Sequence, residues 1–111
     1  MRETKFERPC TMGGPTVRKR TGCGYLYITI NGNEELSPAE VFAFLGKGGG
    51  CAYCQNDALA IAVTIGLRYG VPPEEYIKKL KEVKCPNPIV APEEVLSCPD
   101  AMARALEEYI G

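Results

Sequence analysis

Histidine is absent from the 111 residues, and thirteen basic residues stand against fourteen acidic ones, leaving a formal net charge of −1. No apolar run approaches the roughly 20 residues needed to cross a bilayer. Each shortage removes a class of function. With no imidazole, a metal site has only other ligand types to draw on. The near-neutral balance gives no electrostatic grip on nucleic acid or on an anionic membrane, so neither is expected as a partner. The first ten residues, MRETKFERPC, lack the apolar stretch of a secretory signal, and a cytoplasmic location is the default expectation.

What the chain has in excess is cysteine, six in 111 residues. That length suits one domain with a modest core. In a secreted domain an even count would suggest a disulfide framework. Without an export signal, metal binding or thiol chemistry is favoured, although the disulfide-rich cytosols of hyperthermophiles keep a bridge open. The 24% of charged residues fits any ordinary soluble protein and does not separate these cases.

Residues 1–14 are polar, contain Pro9 and the pair Gly13-Gly14, and read as an extended or loosely attached arm ahead of a single domain over 15–111. TVRKRT and YLYITIN are rich in β-branched and aromatic residues, and GCG at 22–24 separates them, so an antiparallel hairpin with Cys23 at its turn is expected. In SPAEVFAFLGKGGG, Ser37, Pro38 and Glu40 read as a helix start. The apolar run Val41 to Leu45 is nevertheless short and ends in glycines, which favours a buried third strand.

From Ala58 to Leu67 the chain is apolar on nearly every side, as in a helix packed in the core, with Arg68 in the last turn and Gly70 as C-cap. Prolines and glutamates precede lysines in VPPEEYIKKLKEV, which predicts a helix from about Pro73 to Lys81. Three prolines make KCPNPIVAP a loop. A last helix is expected from about Pro99 to Tyr109, with Ala101, Ala105 and Leu106 facing the core.

Four cysteines share a local setting. Cys23 lies in a glycine-flanked turn, Cys51 follows three glycines and opens a helix, Cys85 precedes a proline in a loop, and Cys98 precedes Pro99 at a helix start. Free amides and the helix dipole favour negative charge at such starts, which gives Cys51 and Cys98 a physical reason to be reactive or metal-bound. Four thiolates would suit a closed tetrahedral zinc site, with an iron–sulfur cluster as the nearest competitor. Against both stands the reading of buried cysteines as small hydrophobes. The spacing is not a paired CxxC…CxxC, since Cys51-Ala52-Tyr53-Cys54 is the one CxxC present. That pair at a helix start also allows a thiol–disulfide relay, although two hairpin strands precede it and helices alone follow, unlike the βαβ setting of such enzymes. Cys10 and Cys54 can pair with each other or stay free.

Two further motifs point to less. GKGGG at 46–50 exposes amides before a helix but fails the phosphate-loop pattern, and its glycines are read as letting the backbone turn around Cys51. On the first strand Arg18 and Arg20 share a face and Lys19 points away, a solvated strand face rather than an anion site.

The segments GCGYLYITI (22–30), EVFAFLGKGGGC (40–51), LRYGVPPEEYIKKLKEVKCP (67–86) and SCPDAMARAL (97–106) occur in one order and register. Together they resemble the TSCPD domain over about residues 8–108. That domain is typically attached to the C-terminal region of adenosylcobalamin-dependent ribonucleotide reductases and also occurs as a small separate protein. The resemblance implies a place in deoxyribonucleotide synthesis, a reductase catalytic subunit as partner, and family-type cysteines at Cys23, Cys51, Cys85 and Cys98. The chain departs from the pattern at Leu96, where the name-giving threonine would stand, and in the additional Cys10 and Cys54. It is too short for the reductase's barrel, radical cysteine and cobalamin site, so no catalytic residue is assigned. A weaker likeness, of fold alone, is to iron–sulfur scaffold proteins.

The expectation is therefore an α+β domain, a three-stranded antiparallel sheet followed by three helices, closed by zinc on Cys23, Cys51, Cys85 and Cys98. In that picture Ser97 and Asp100 cap the last helix, Pro99 fixes its first turn, and Asp100 alternatively just offsets the dipole. The work expected of it is that of an accessory or interaction module, with a relay through Cys51 and Cys54 or a cluster carrier as alternatives.

Overall fold

A computed structural model describes residues 3–46 and 50–111. Strands β1 (Thr16–Thr21), β2 (Gly24–Asn31) and β3 (Glu40–Leu45) form an antiparallel sheet in the order β1-β2-β3. Helices α1 (Gly50–Arg68), α2 (Pro73–Leu80) and α3 (Cys98–Ile110) follow. The α+β architecture is the one the sequence suggests, and the run Val41 to Leu45 does lie in a strand, although Phe42 and Phe44 on its outer face are exposed rather than buried. The expected closure by four cysteines is not there, because the domain is closed by its apolar core and by two buried carboxylates.

Alternation along the strands sends Leu26, Ile28, Ile30, Val41 and Leu45 to one face, where they meet Val63 and Leu67 of α1 and Ala101, Met102, Ala105 and Leu106 of α3. The helix α1 is less enclosed than its composition suggests. It buries Asn56, Ala60, Val63 and Leu67, one stripe at helical spacing, and leaves Ile61 and Ile65 exposed. Its Thr64 hydroxyl accepts from the Val41 amide at 2.9 Å and donates to the Val41 carbonyl at 3.0 Å, satisfying backbone groups on the sheet edge at β3. Arg18 and Arg20 are exposed, and Lys19, which points away from them as expected, is buried with its ammonium paired with Glu93 and Glu108. That pairing ties β1 to the loop before α3 and to α3 itself.

The segment before β1 is held at two points. Phe6 is buried with its amide on the Arg68 carbonyl, 2.9 Å away, and Arg8 reaches the fully buried Glu40 at the start of β3. Glu40 accepts from Arg8 at 2.8 and 3.0 Å, from Arg68 at 2.9 Å and from Asn31 at 2.8 Å. Burial pushes this carboxyl up, but the hydrogen bonds from Arg8, Asn31 and Arg68, with the charge of Arg8, outweigh it and hold the group below its ordinary value. Of the glycines expected to turn around Cys51, Gly48 and Gly49 lie outside the described residues.

A carboxyl depressed by folding stabilises above its unfolded pKa and loses that contribution as pH falls through the lower folded value. Urea unfolding midpoints should therefore drop as pH falls below about 4.5, the ordinary glutamate value. Glu40→Gln sets an amide donor against Arg or Asn donors and should cost about 3 kcal/mol at neutral pH. It should also flatten the acid limb of the profile.

Candidate functional site

The hairpin turn carries Cys23 between two glycines with different duties. Gly24 has φ +127°, where a side chain is strained, while a Cβ on Gly22 would sit 2.0 Å from the Asn87 carbonyl oxygen. The turn can therefore lie directly on the loop that carries Cys85. Thr21 closes the turn from below. Its hydroxyl donates to the Gly24 carbonyl at 2.7 Å and accepts from the Cys23 amide at 3.1 Å.

The opposite wall is built by residues 97–100, Ser-Cys-Pro-Asp. Ser97 caps α3 by accepting from the Asp100 amide at 3.0 Å and donates to the Val83 carbonyl. Pro99 sits in the first turn, where its missing amide costs nothing. Asp100 acts otherwise than expected, since it does not bond its own helix start. Its fully buried carboxylate accepts from the Glu82 amide at 2.6 Å, from the Leu96 amide at 2.9 Å and from Arg104 Nε at 2.7 Å.

Burial alone would raise the Asp100 carboxyl, yet the bonds from Arg104, Glu82 and Leu96 keep it below its ordinary value. The Glu82 bond also stabilises a residue held at φ +69°, a conformation that costs a non-glycine residue about 1 kcal/mol. The chain that leaves α2 is thereby folded back onto α3. A bond of 3.0 Å from the Cys85 amide to the Leu96 carbonyl completes the fold-back.

These walls enclose a pocket of about 340 Å³ lined by Cys23, Cys85 and Cys98, by Ser97 and Pro99 of the α3 start, and by Ala52, Gln55, Asn56 and Leu59 of α1. Cys98 is 8% exposed and Cys23 is open to solvent. The Cys98 thiol donates to the Thr21 hydroxyl at 3.6 Å, and the Cys85 sulfur accepts from the Asn87 amide at 3.4 Å. Partial burial pushes the Cys23 thiol up, and its bond to the Cys98 thiol and the proximity of Cys85 push it further, since a charge there would face two more sulfurs.

Three of the four cysteines expected as ligands thus line one cavity, but the four-cysteine metal site is not formed. Among the described residues no group of three or more Cys, Asp or Glu side chains is arranged to hold a metal ion. The reason lies in the phase of α1. Successive residues turn by about 100° around a helix. The register that points Ala52, Gln55 and Asn56 at the pocket carries Cys51, one residue earlier, to the exposed side. The donor set consequently does not fit a tetrahedral four-thiolate site, for zinc or for an iron–sulfur cluster.

Cys54 and Cys10 are exposed too, and the Cys54 thiol is directed to the Cys51 carbonyl oxygen, 3.5 Å away, rather than to the Cys51 sulfur. Sequence reading missed Gln55 and Asn56. A buried Asn on the packed stripe of an apolar helix was the available signal for the second.

The sequence matches the family described as TSCPD domain over residues 2–110. Residues covering 87% of the chain are 34% identical, over 98 positions, to proteins named vitamin B12-dependent ribonucleotide reductase from Streptantibioticus cattleyicolor and Streptomyces avermitilis. A reductase of the same name from Streptomyces clavuligerus is 38% identical over 71 residues, 64% of this chain. The matched regions amount to 16%, 10% and 7% of those proteins, so the chain corresponds to a small part of each. No solved structure matches the chain significantly.

Replacing Asp100 by Asn turns one acceptor oxygen into a donor facing donors. Asp100→Asn should cost about 3 kcal/mol in urea unfolding, against about 1 kcal/mol for removing the cap in Ser97→Ala. It should also speed alkylation of Cys98 in the folded protein. Equal costs for the two variants would contradict the anchoring role of Asp100.

Proposed function

This chain belongs to the TSCPD domain family, and on that footing we propose that it serves a B12-dependent ribonucleotide reductase as an accessory interaction module, without catalysis of its own. The observation that carries the reading is the 34% identity, spanning 87% of this chain, to a segment of proteins bearing that name. On that likeness the reductase catalytic chain is the proposed partner, and deoxyribonucleotide synthesis the process.

One surface has the composition such docking uses. On the sheet face turned away from the core, Tyr25, Tyr27, Phe42 and Phe44 are exposed beside Arg18 and Arg20. Tyr27 packs on Phe44 with ring centroids 6.5 Å apart, and the Arg18 guanidinium lies 4.5 Å from the Tyr25 ring centroid. Aromatic residues and arginine, held rigid on a sheet, are the side chains that dominate protein–protein binding energies.

The test is calorimetric titration of the whole chain into a purified B12-dependent reductase catalytic subunit from the same source. Saturable binding that weakens about tenfold or more in the Tyr27→Ala, Phe44→Ala double variant is expected. No binding tighter than about 0.1 mM would contradict the reading.

A further inference from the structure

We propose that Cys23 and Cys98 form a dithiol site that exchanges with low-molecular-weight disulfides and closes to an intramolecular Cys23–Cys98 bridge. The two sulfurs come from residues 75 positions apart in the sequence, brought together by the hairpin turn and the start of α3. The Thr21 hydroxyl touches both residues, accepting from the Cys23 backbone amide at 3.1 Å and from the Cys98 thiol at 3.6 Å. Both side chains open into the same cavity of about 340 Å³, a size within the range of small-molecule sites. Ala52, Leu59 and Pro99 give that cavity apolar walls suited to the methylene and sulfur atoms of a small disulfide.

Exposure divides the labour. Cys23 is open to solvent and meets the disulfide first, while Cys98, 8% exposed, is screened from it and placed to resolve the product. As a thiolate, Cys23 attacks one sulfur of R–S–S–R, forming Cys23–S–S–R and releasing one R–S⁻, which takes up the proton Cys23 gave up. Cys98, deprotonated in turn, attacks the Cys23 sulfur and expels the second R–S⁻. Two protein thiols are oxidised, one small disulfide is reduced to two R–SH, and both protons end on the released thiols.

Cys85 lines the same cavity, but its sulfur is engaged by the Asn87 amide of its own loop. The exposed CxxC is less well set, because the Cys54 thiol is turned to a carbonyl rather than to its partner sulfur.

The site stands apart from any association with a reductase, because it is tested on the chain alone. The fully reduced protein, freed of reductant under argon, is exposed to oxidised glutathione, quenched by alkylation at increasing times and peptide-mapped without reduction. The first intramolecular bridge should join Cys23 to Cys98. In Cys98→Ser, Cys23 should instead accumulate as the mixed disulfide with glutathione, to a level about tenfold above that in the unmodified sequence. A first bridge joining any other pair, or no bridge at all, would overturn the proposal on the unmodified chain without recourse to a variant. So would equal accumulation of the mixed disulfide in both proteins.

Discussion

A single carboxylate with no exposed surface, that of Asp100, sets the geometry on which the pocket depends. A charge taken out of water is tolerable only where donors replace the lost hydration. Asp100 finds three, and two of them are backbone amides at the two ends of one loop, Glu82 and Leu96. That loop is thereby bent back on the start of α3, with Ser97 donating to Val83 and the Cys85 amide on the Leu96 carbonyl. Cys85 and Cys98 come to one side, and the Asn87 carbonyl seats the hairpin turn at Gly22, placing Cys23 opposite. Val83 and Val90 of that loop are exposed, and its apolar hold is confined to Val95, buried in the core, and Ile89 packed beside it, so the carboxylate is what fixes the end next to Glu82.

Glu40 plays the corresponding part at the other end of the sheet, joining the segment before β1, the start of β3 and the end of α1 through Arg8, Asn31 and Arg68. Between these two charged anchors lies the core of Leu26, Ile28, Ile30, Met102 and Leu106. Burial of such side chains supplies most of the folding free energy, at about 25 cal/mol per Å² removed from water. It is non-directional, and the carboxylates add the registry that it lacks.

Much of the fold was legible because it rests on local pattern. Alternation in TVRKRT and YLYITIN and the glycines at 22 and 24 carry the hairpin, and the proline-to-lysine charge order carries α2. The site was legible only in part. Glycine and proline neighbours singled out the cysteines, and three of them do line one cavity. What local pattern does not encode is rotation about a helix axis relative to a distant loop, and that rotation sends Ala52 rather than Cys51 to the pocket. The burial of Glu40 and Lys19 was equally hidden, because Arg68 and Arg8 lie 28 and 32 residues from Glu40, and Glu93 and Glu108 lie 74 and 89 from Lys19. The sequence motif around Asp100 suggested a cap, yet two of its partners are amides of the loop and the third is Arg104 of α3.

In this domain of the TSCPD family, Cys23, Cys85 and Cys98 line one pocket. That pocket depends on the loop held by Asp100. Amide hydrogen exchange of the native chain tests that hold most directly, at the Glu82 and Leu96 amides that bond the carboxylate. Protection by a factor of about 1,000 or more over an unstructured peptide, close to that of α3, is the expected result. Exchange at those two amides within about tenfold of the unstructured rate, while α3 remains protected, would contradict the account.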